Sequence, residues 1–148
     1  MADELLARAL AALGRKALTE AEMREWLASR EVEQEEIERV ISFLTENLAL
    51  DDRAFATSFA SDKRELSGWG RDRIREVLLR RGVERHLVEE ALAEDQETEV
   101  DRAVRVLRER GADLGDDRGR QRALGLLARR GYEAEEAYAA IRIASRAA

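Results

Sequence analysis

The sequence predicts an all-α protein: three tandem three-helix repeats forming an elongated, curved helical array. Three observations predict it. Proline is absent from all 148 residues, while Ala, Leu, Glu and Arg, which favour helix, dominate. Apolar residues recur at helical spacing, as in Met23, Trp26 and Leu27 or Ile37, Val40, Ile41 and Leu44. The whole pattern then returns about every 50 residues.

Six apolar columns keep one register through three copies: Met23/Ile74/Ala123, Trp26/Val77/Leu126, Leu27/Leu78/Leu127, Val32/Val83/Tyr132, Ile37/Val88/Ala137 and Ile41/Leu92/Ile141. Arg30, Arg81 and Arg130 form a seventh column, followed by Glu31, Gly82 and Gly131. Each copy reads as helix, tight turn, helix. Thr19 and Glu22 have capping-box spacing, with Leu18 just before them. Gly82 and Gly131 stand where a positive-φ residue ends a helix; Glu31 in that place implies a looser turn. The column arginines fall in a last helical turn, where a cation complements the dipole. Trp26, on a repeated column, is expected in the core.

A further helix precedes each hairpin. Residues 4–13 carry Leu6, Ala9, Leu10 and Leu13; residues 51–66 carry Phe55 and Phe59, with Asp51 or Asp52 as N-cap; residues 97–110 carry Val100, Ala103, Val104 and Leu107. The expected units are 1–49, 50–95 and 96–148, with joints at Gly14–Lys16 and Gly111–Gly115. Helices of about 12 residues, about 18 Å long, are marginal alone, so packing must hold them. Units of this kind touch mainly their neighbours along the chain.

Composition narrows function. Hydrophobic residues make up 45% of the chain, enough for a core, and there is no cysteine to support a disulfide scaffold, thiolate site or thiol nucleophile. No apolar run of about 18 residues occurs, and acids stand where a signal peptide carries bases, so a cytoplasmic protein with no membrane partner is expected. The net charge of −6 is distributed in blocks: −7 over residues 1–52, +4 over 53–86, −6 over 87–99 and +3 over 100–148. A nucleic-acid-coating protein is normally basic throughout, whereas a binder of a protein with patches of both signs fits this pattern.

The central stretches LDDRAFATSFASDKREL (50–66) and GWGRDRIREVLLRRGV (68–83), with EEAL at 89–92, resemble the RecX family. A leucine and two acids precede a Phe-Ala pair, and a Gly-x-Gly precedes an Arg-Ile helix ending in glycine and a β-branched residue. Leu50, Asp51, Asp52, Phe55, Ala56, Gly68, Gly70, Arg73, Ile74, Leu78, Gly82 and Val83 match that pattern. LTEAEMREWLASREV (18–32) and LLARRGYEAEEAY (126–138) match it in the flanking copies. The resemblance implies an all-α repeat fold. It also implies a negative regulator of recombination and the SOS response that binds the RecA recombinase, as monomer and as filament. On that implication it limits filament growth and lowers RecA ATPase, strand-exchange and coprotease activities.

Candidate contact residues are Lys63, Arg64, Trp69, Arg71, Arg73, Arg75, Arg80 and Arg81. Five of these arginines crowd one short helix whose buried face is Ile74, Val77 and Leu78. They read either as a solvated face partnered by Asp72 and Glu76, or as an electropositive surface for acidic RecA segments or nearby phosphates. Trp69 reads as a hydrophobic staple or an exposed anchor. Asp51, Asp52, Phe55, Gly68, Gly70, Ile74, Leu78 and Gly82 carry the structural motif. Paired Asp51 and Asp52, or Asp116 and Asp117, read as helix caps rather than as acid/base or metal groups. His86, the only histidine, has nothing to organise a catalytic set or an ion. GWGRDR lacks the lysine and Ser/Thr of a phosphate-binding loop. No enzyme activity, cofactor or metal is therefore expected, and the chain is expected to be monomeric. A helix-turn-helix DNA binder and a generic helical-repeat adaptor remain as alternatives. Against the first, the hairpins' second helices, VEQEEIERVISFL and VERHLVEEAL, are acidic where a recognition helix presents Arg, Asn or Gln. Weak non-specific DNA contact through the basic middle remains open.

Overall fold

The computed structural model describes residues 2–146; the outermost residues of the first and third expected units lie outside that range. Nine α-helices follow one another among the described residues: α1 Ala2–Arg15, α2 Glu20–Ala28, α3 Gln34–Glu46, α4 Asp52–Asp62, α5 Arg71–Arg80, α6 Arg85–Ala93, α7 Glu99–Glu109, α8 Asp117–Arg129 and α9 Ala134–Arg146. The protein is all-α, and three-helix groups repeat.

Three separate cores match the three copies. One gathers Ala9, Met23, Leu27, Ile37, Ile41 and Leu44; the second Ala56, Ile74, Leu78, Val88 and Leu92; the third Ala103, Leu107, Leu127, Ala137 and Ile141. The repeat columns are these cores. Leu27, Leu78 and Leu127 are all 0% exposed, so the last turn of each first hairpin helix is its anchor. The Trp26/Val77/Leu126 column is an exception in every copy, because it faces the rim. Trp26 is thus half-buried rather than core, and the Arg30 guanidinium covers its ring at 3.8 Å.

Local signals explain the element ends. Thr19 and Glu22 form the capping box, each side chain bonding the other's backbone N–H. Asp51 caps α4 through the Ala54 N–H, Thr98 caps α7 through Asp101, and Asp116 caps α8 through Gly119. Gly82 and Gly131 adopt φ values of 90° and 98° after α5 and α8. The Val83 and Tyr132 N–H groups then reach back to the Leu78 and Leu127 carbonyls, closing both turns. Glu31 takes the left-handed conformation too, at φ 59°. No matching bond from Val32 occurs among the described residues, so this turn is looser, as the missing glycine implies.

One expected helix departs from regularity. Residues 51–66 do not run as a single α-helix: a π-helical turn, Lys63–Ser67, follows α4 and ends at Gly68 with φ 64°. That turn carries Arg64 inward, where it bonds the Leu92 and Glu94 carbonyls at the end of α6, both at 3.0 Å. The guanidinium satisfies carbonyls that a helix end leaves orphaned.

Candidate protein-interaction surface

The surface is built by the way the three units dock, and the docking uses the repeat itself. Residues in register play equivalent parts at two seams. At the first, the Thr19 hydroxyl donates to the Arg81 carbonyl at 2.7 Å. At the second, the Gly70 N–H donates to the Arg130 carbonyl at 2.8 Å and the Asp72 N–H to the Gly131 carbonyl at 3.2 Å. In both, the start of one hairpin helix meets the end of the next copy's equivalent helix. Orphan donors meet orphan carbonyls, and opposite dipole ends face each other.

Glycine is required on the receiving side. A Cβ on Gly82 would lie 2.4 Å from the Ala21 Cβ, and one on Gly131 would lie 2.5 Å from both the Arg73 Cβ and N. Two of the three column arginines reach across. Arg81 grips the Glu22 carboxylate with two nitrogens, at 3.0 and 2.9 Å, and Arg130 donates to the Ser67 carbonyl at 2.6 Å. These are inter-unit ties, where the sequence suggested only dipole complements.

Asp52 caps a helix, but not its own: it accepts from the Glu20 N–H at 2.9 Å and so ties α4 to the start of α2. Burial raises its pKa. Burial works against the charge of Glu22, but the hydrogen bonds from Arg81 and the Thr19 N–H, with the nearby Arg81 and Lys16 charges, together outweigh it and hold this carboxyl below its ordinary value.

The second seam contains an ionic network that sequence patterning missed. Arg102 is 0% exposed and donates to Glu99 at 2.7 Å and Asp95 at 2.5 Å. Glu99 in turn accepts from the Arg71 N–H at 3.1 Å. Its pKa is raised by burial, against the pull of Arg71 and Arg102. Tyr132 donates to the Gly68 carbonyl at 2.7 Å, and burial pushes its hydroxyl pKa well up. The one available signal was Arg102 itself, three residues after Glu99 on the face that Ala103, Val106 and Leu107 make apolar.

The predicted contact residues separate accordingly. Arg64, a candidate contact residue by sequence, is instead buried. Arg71 pairs with Glu133 at 3.1 Å and Glu136 at 3.0 Å of the third unit. Arg75 pairs with Glu89 at 2.6 Å and Asp72 at 3.1 Å. Arg81 pairs with Glu22, as above. Trp69 is half-buried and edge-on to Phe59, with Arg73 4.0 Å and Lys63 4.7 Å from its ring centroid. Arg80 reaches solvent, pairing among the described residues only with exposed Glu76. Thus Lys63, Trp69, Arg73 and Arg80 gather on one face, while Arg71 and Arg81 hold seams and Arg75 ties α5 to α6. Phe55 lies under the Arg81 guanidinium, 4.6 Å from its centroid; Ile74 and Leu78 are core. His86 is exposed beside Glu84. Among the described residues, no His, Cys, Asp or Glu group could hold a metal, and no helix is long and apolar enough to cross a membrane.

Comparison with known proteins places this architecture. Residues 6–44 match the family model "RecX, first three-helix domain" and residues 51–92 match "RecX, second three-helix domain". The Regulatory protein RecX of Deinococcus radiodurans is 39% identical over 142 residues, covering 95% of this chain and 68% of that protein. The Regulatory protein RecX of a Mycobacterium species, strain JLS, is 32% identical over 138 residues, covering 88% of this chain and 75% of that one. The crystal structure of RecX from Lactobacillus salivarius superposes with a TM-score of 0.83 at 18% identity, covering 98% of this chain and 97% of that one. A second crystal structure of regulatory protein RecX gives a TM-score of 0.77 at 21% identity, covering 96% and 71%. Two consecutive three-helix matches, and relatives alike through the third unit, account for the repeat register: the chain belongs to the RecX family.

Proposed function

We propose that this chain binds the RecA recombinase, as monomer and along its nucleoprotein filament, and acts there as a negative regulator. It limits filament growth and lowers the ATPase, strand-exchange and coprotease activities that depend on the filament. The observation that carries this reading is family membership, anchored by 39% identity to a Regulatory protein RecX over 95% of the chain. The docked units supply a physical means: a fixed succession of charge patches that can lie against neighbouring protomers of a filament. No reaction is assigned to any residue, no cofactor enters, and the chain acts as a cytoplasmic monomer of three units, 1–49, 50–95 and 96–148. The contact surface includes Lys63, Trp69, Arg73 and Arg80, with Arg71, Arg75 and Arg81 acting through the seams and helix packing they hold.

Titrating the protein into RecA filaments on single-stranded DNA and following ATP hydrolysis tests this. A dose-dependent fall at substoichiometric protein is expected. Unchanged hydrolysis together with tight duplex binding at physiological salt would favour the helix-turn-helix alternative instead.

A further inference from the structure

The third unit carries a cationic trough that lies outside the residues singled out by sequence. Arg118, Arg122, Gly125 and Arg129 follow one another in α8 at steps of four, three and four, which places them on one stripe. At 1.5 Å per residue the stripe runs about 16 Å. None of these three arginines, nor Arg110 at the end of α7, forms an ion pair among the described residues. By contrast Arg102, Arg105 and Arg120 of the same unit are all paired. Arg110, Arg122, Gly125 and Arg129 line a groove of about 400 Å³.

Gly125 sharpens the reading. Glycine inside a helix weakens it relative to alanine, so its presence needs a reason. Gly119 has one: a Cβ there would fall 2.0 Å from the Asp113 carbonyl oxygen. Gly125 has none in the packing, since its Cβ would meet only the flexible end of Arg129, at 3.2 Å. What the glycine does is remove the Cβ from the groove floor, leaving only the flexible Arg129 guanidinium over it. A second groove, of about 460 Å³, shares Arg129 and continues across the seam past Arg73 and Arg80. Acids are few along this path. Asp72 and Glu76 line the second groove, and Asp113 at the edge of the first accepts from the Gly115 N–H of its own loop.

We infer that the trough along α8 holds the phosphodiester backbone of a single nucleic-acid strand. Guanidiniums match phosphate oxygens in a planar, bidentate fork, and among the described residues none of those on the α8 stripe is paired with a carboxylate. With no Cβ beneath it, a strand's backbone comes close to the helix as the Arg129 side chain turns onto its phosphates. Gln121 is the only uncharged polar side chain with an amide along the first groove, so contact is to backbone and independent of base sequence. An acidic peptide is the competing occupant. It would gain less from guanidiniums strung along 16 Å, because phosphates recur on every nucleotide.

The test is fluorescence anisotropy of a labelled thymidine 30-mer with the full chain at 50 mM salt and above. Binding should weaken with salt at a log–log slope of about −0.7 per phosphate neutralised, roughly −2.8 for four arginines. The Arg122→Gln/Arg129→Gln variant should fold as the parent does and lose about 1.4 of that slope. Gly125→Leu should raise the melting temperature yet lower affinity, an opposition that a purely structural glycine would not produce. Arg8→Gln/Arg39→Gln in the first unit should change neither. Unchanged affinity and slope in the folded Arg122→Gln/Arg129→Gln variant would overturn the proposal. So would absence of oligonucleotide binding at 50 mM salt while polyglutamate binds, which would assign the trough to an acidic protein segment.

Discussion

Replacing Gly131 by alanine probes the seam between the second and third units with a single carbon atom. Two costs combine. Gly131 sits at φ 98°, where an L-residue is strained by about 1–2 kcal/mol. The added Cβ would also stand 2.5 Å from Arg73 main-chain and side-chain atoms, and overpacking of that kind typically costs about 1–3 kcal/mol. The expected loss is about 3 kcal/mol. Gly111 separates the two parts, because it has φ 63° but nothing within 4 Å of its Cβ position. Gly111→Ala should therefore lose only the conformational part, about 1 kcal/mol. Glu31 completes the comparison: it occupies the same repeat column as Gly131 and carries a side chain where no unit docks. Glu31→Gly should be nearly neutral or mildly stabilising, since it relieves a positive φ. Urea unfolding followed by circular dichroism measures all three. Equal losses for Gly131→Ala and Gly111→Ala would refute the docking geometry, because the seam would then contribute nothing.

Arg102→Met should destabilise by about 3–5 kcal/mol, since it leaves Asp95 and the buried Glu99 without their partner; thermal melting checks it. Leu78→Asp places an unpaired carboxylate in a fully buried position and should unfold the central unit, so an unaltered melting temperature would reject the assigned core face. The Glu22 carboxyl is held below its ordinary 4.5 in the folded state, burial being overcome by the bonds from Arg81 and the Thr19 N–H together with the nearby cations. Its contribution to stability is thus complete above about pH 4.5 and is lost as pH falls through the lowered value. Glu22→Gln should flatten the acid limb of the stability profile below pH 4.5, and an unchanged limb would remove Glu22 from the seam.

The repeat was legible because packing imposes it: residues such as Leu27, Leu78 and Leu127 fill equivalent positions, and equivalent positions select like residues. Caps were legible because Thr19, Asp51 and Asp116 act on their own helices within three residues. The seams were not, since they join residues about 60 apart through backbone atoms that every sequence possesses. For the same reason the arginines of α5 read as one electropositive surface. Charge reversal at Arg71, Arg73 and Arg75 would, on that reading, test contact alone. The structure makes it a test of the seam and of helix packing, because Arg71 and Arg73 bond the third unit and Arg75 bonds Glu89. Arg102 and Arg64 escaped because a charged residue reads as exposed, and only tertiary partners make its burial tolerable. The α8 stripe is masked in a count along the chain because residues 100–148 hold eight acids against eleven bases.

The central claim is that three docked units act on a recombinase as one shaped surface. The most direct measurement compares the intact chain with Gly131→Ala on RecA filaments assembled on single-stranded DNA, reading ATP hydrolysis under conditions where both proteins retain their helicity. The intact chain is predicted to suppress hydrolysis, and the variant with its second seam forced open to need at least about tenfold more protein, the effect of roughly 1.4 kcal/mol of lost binding. Equal suppression by both proteins, or none by either, would contradict the account.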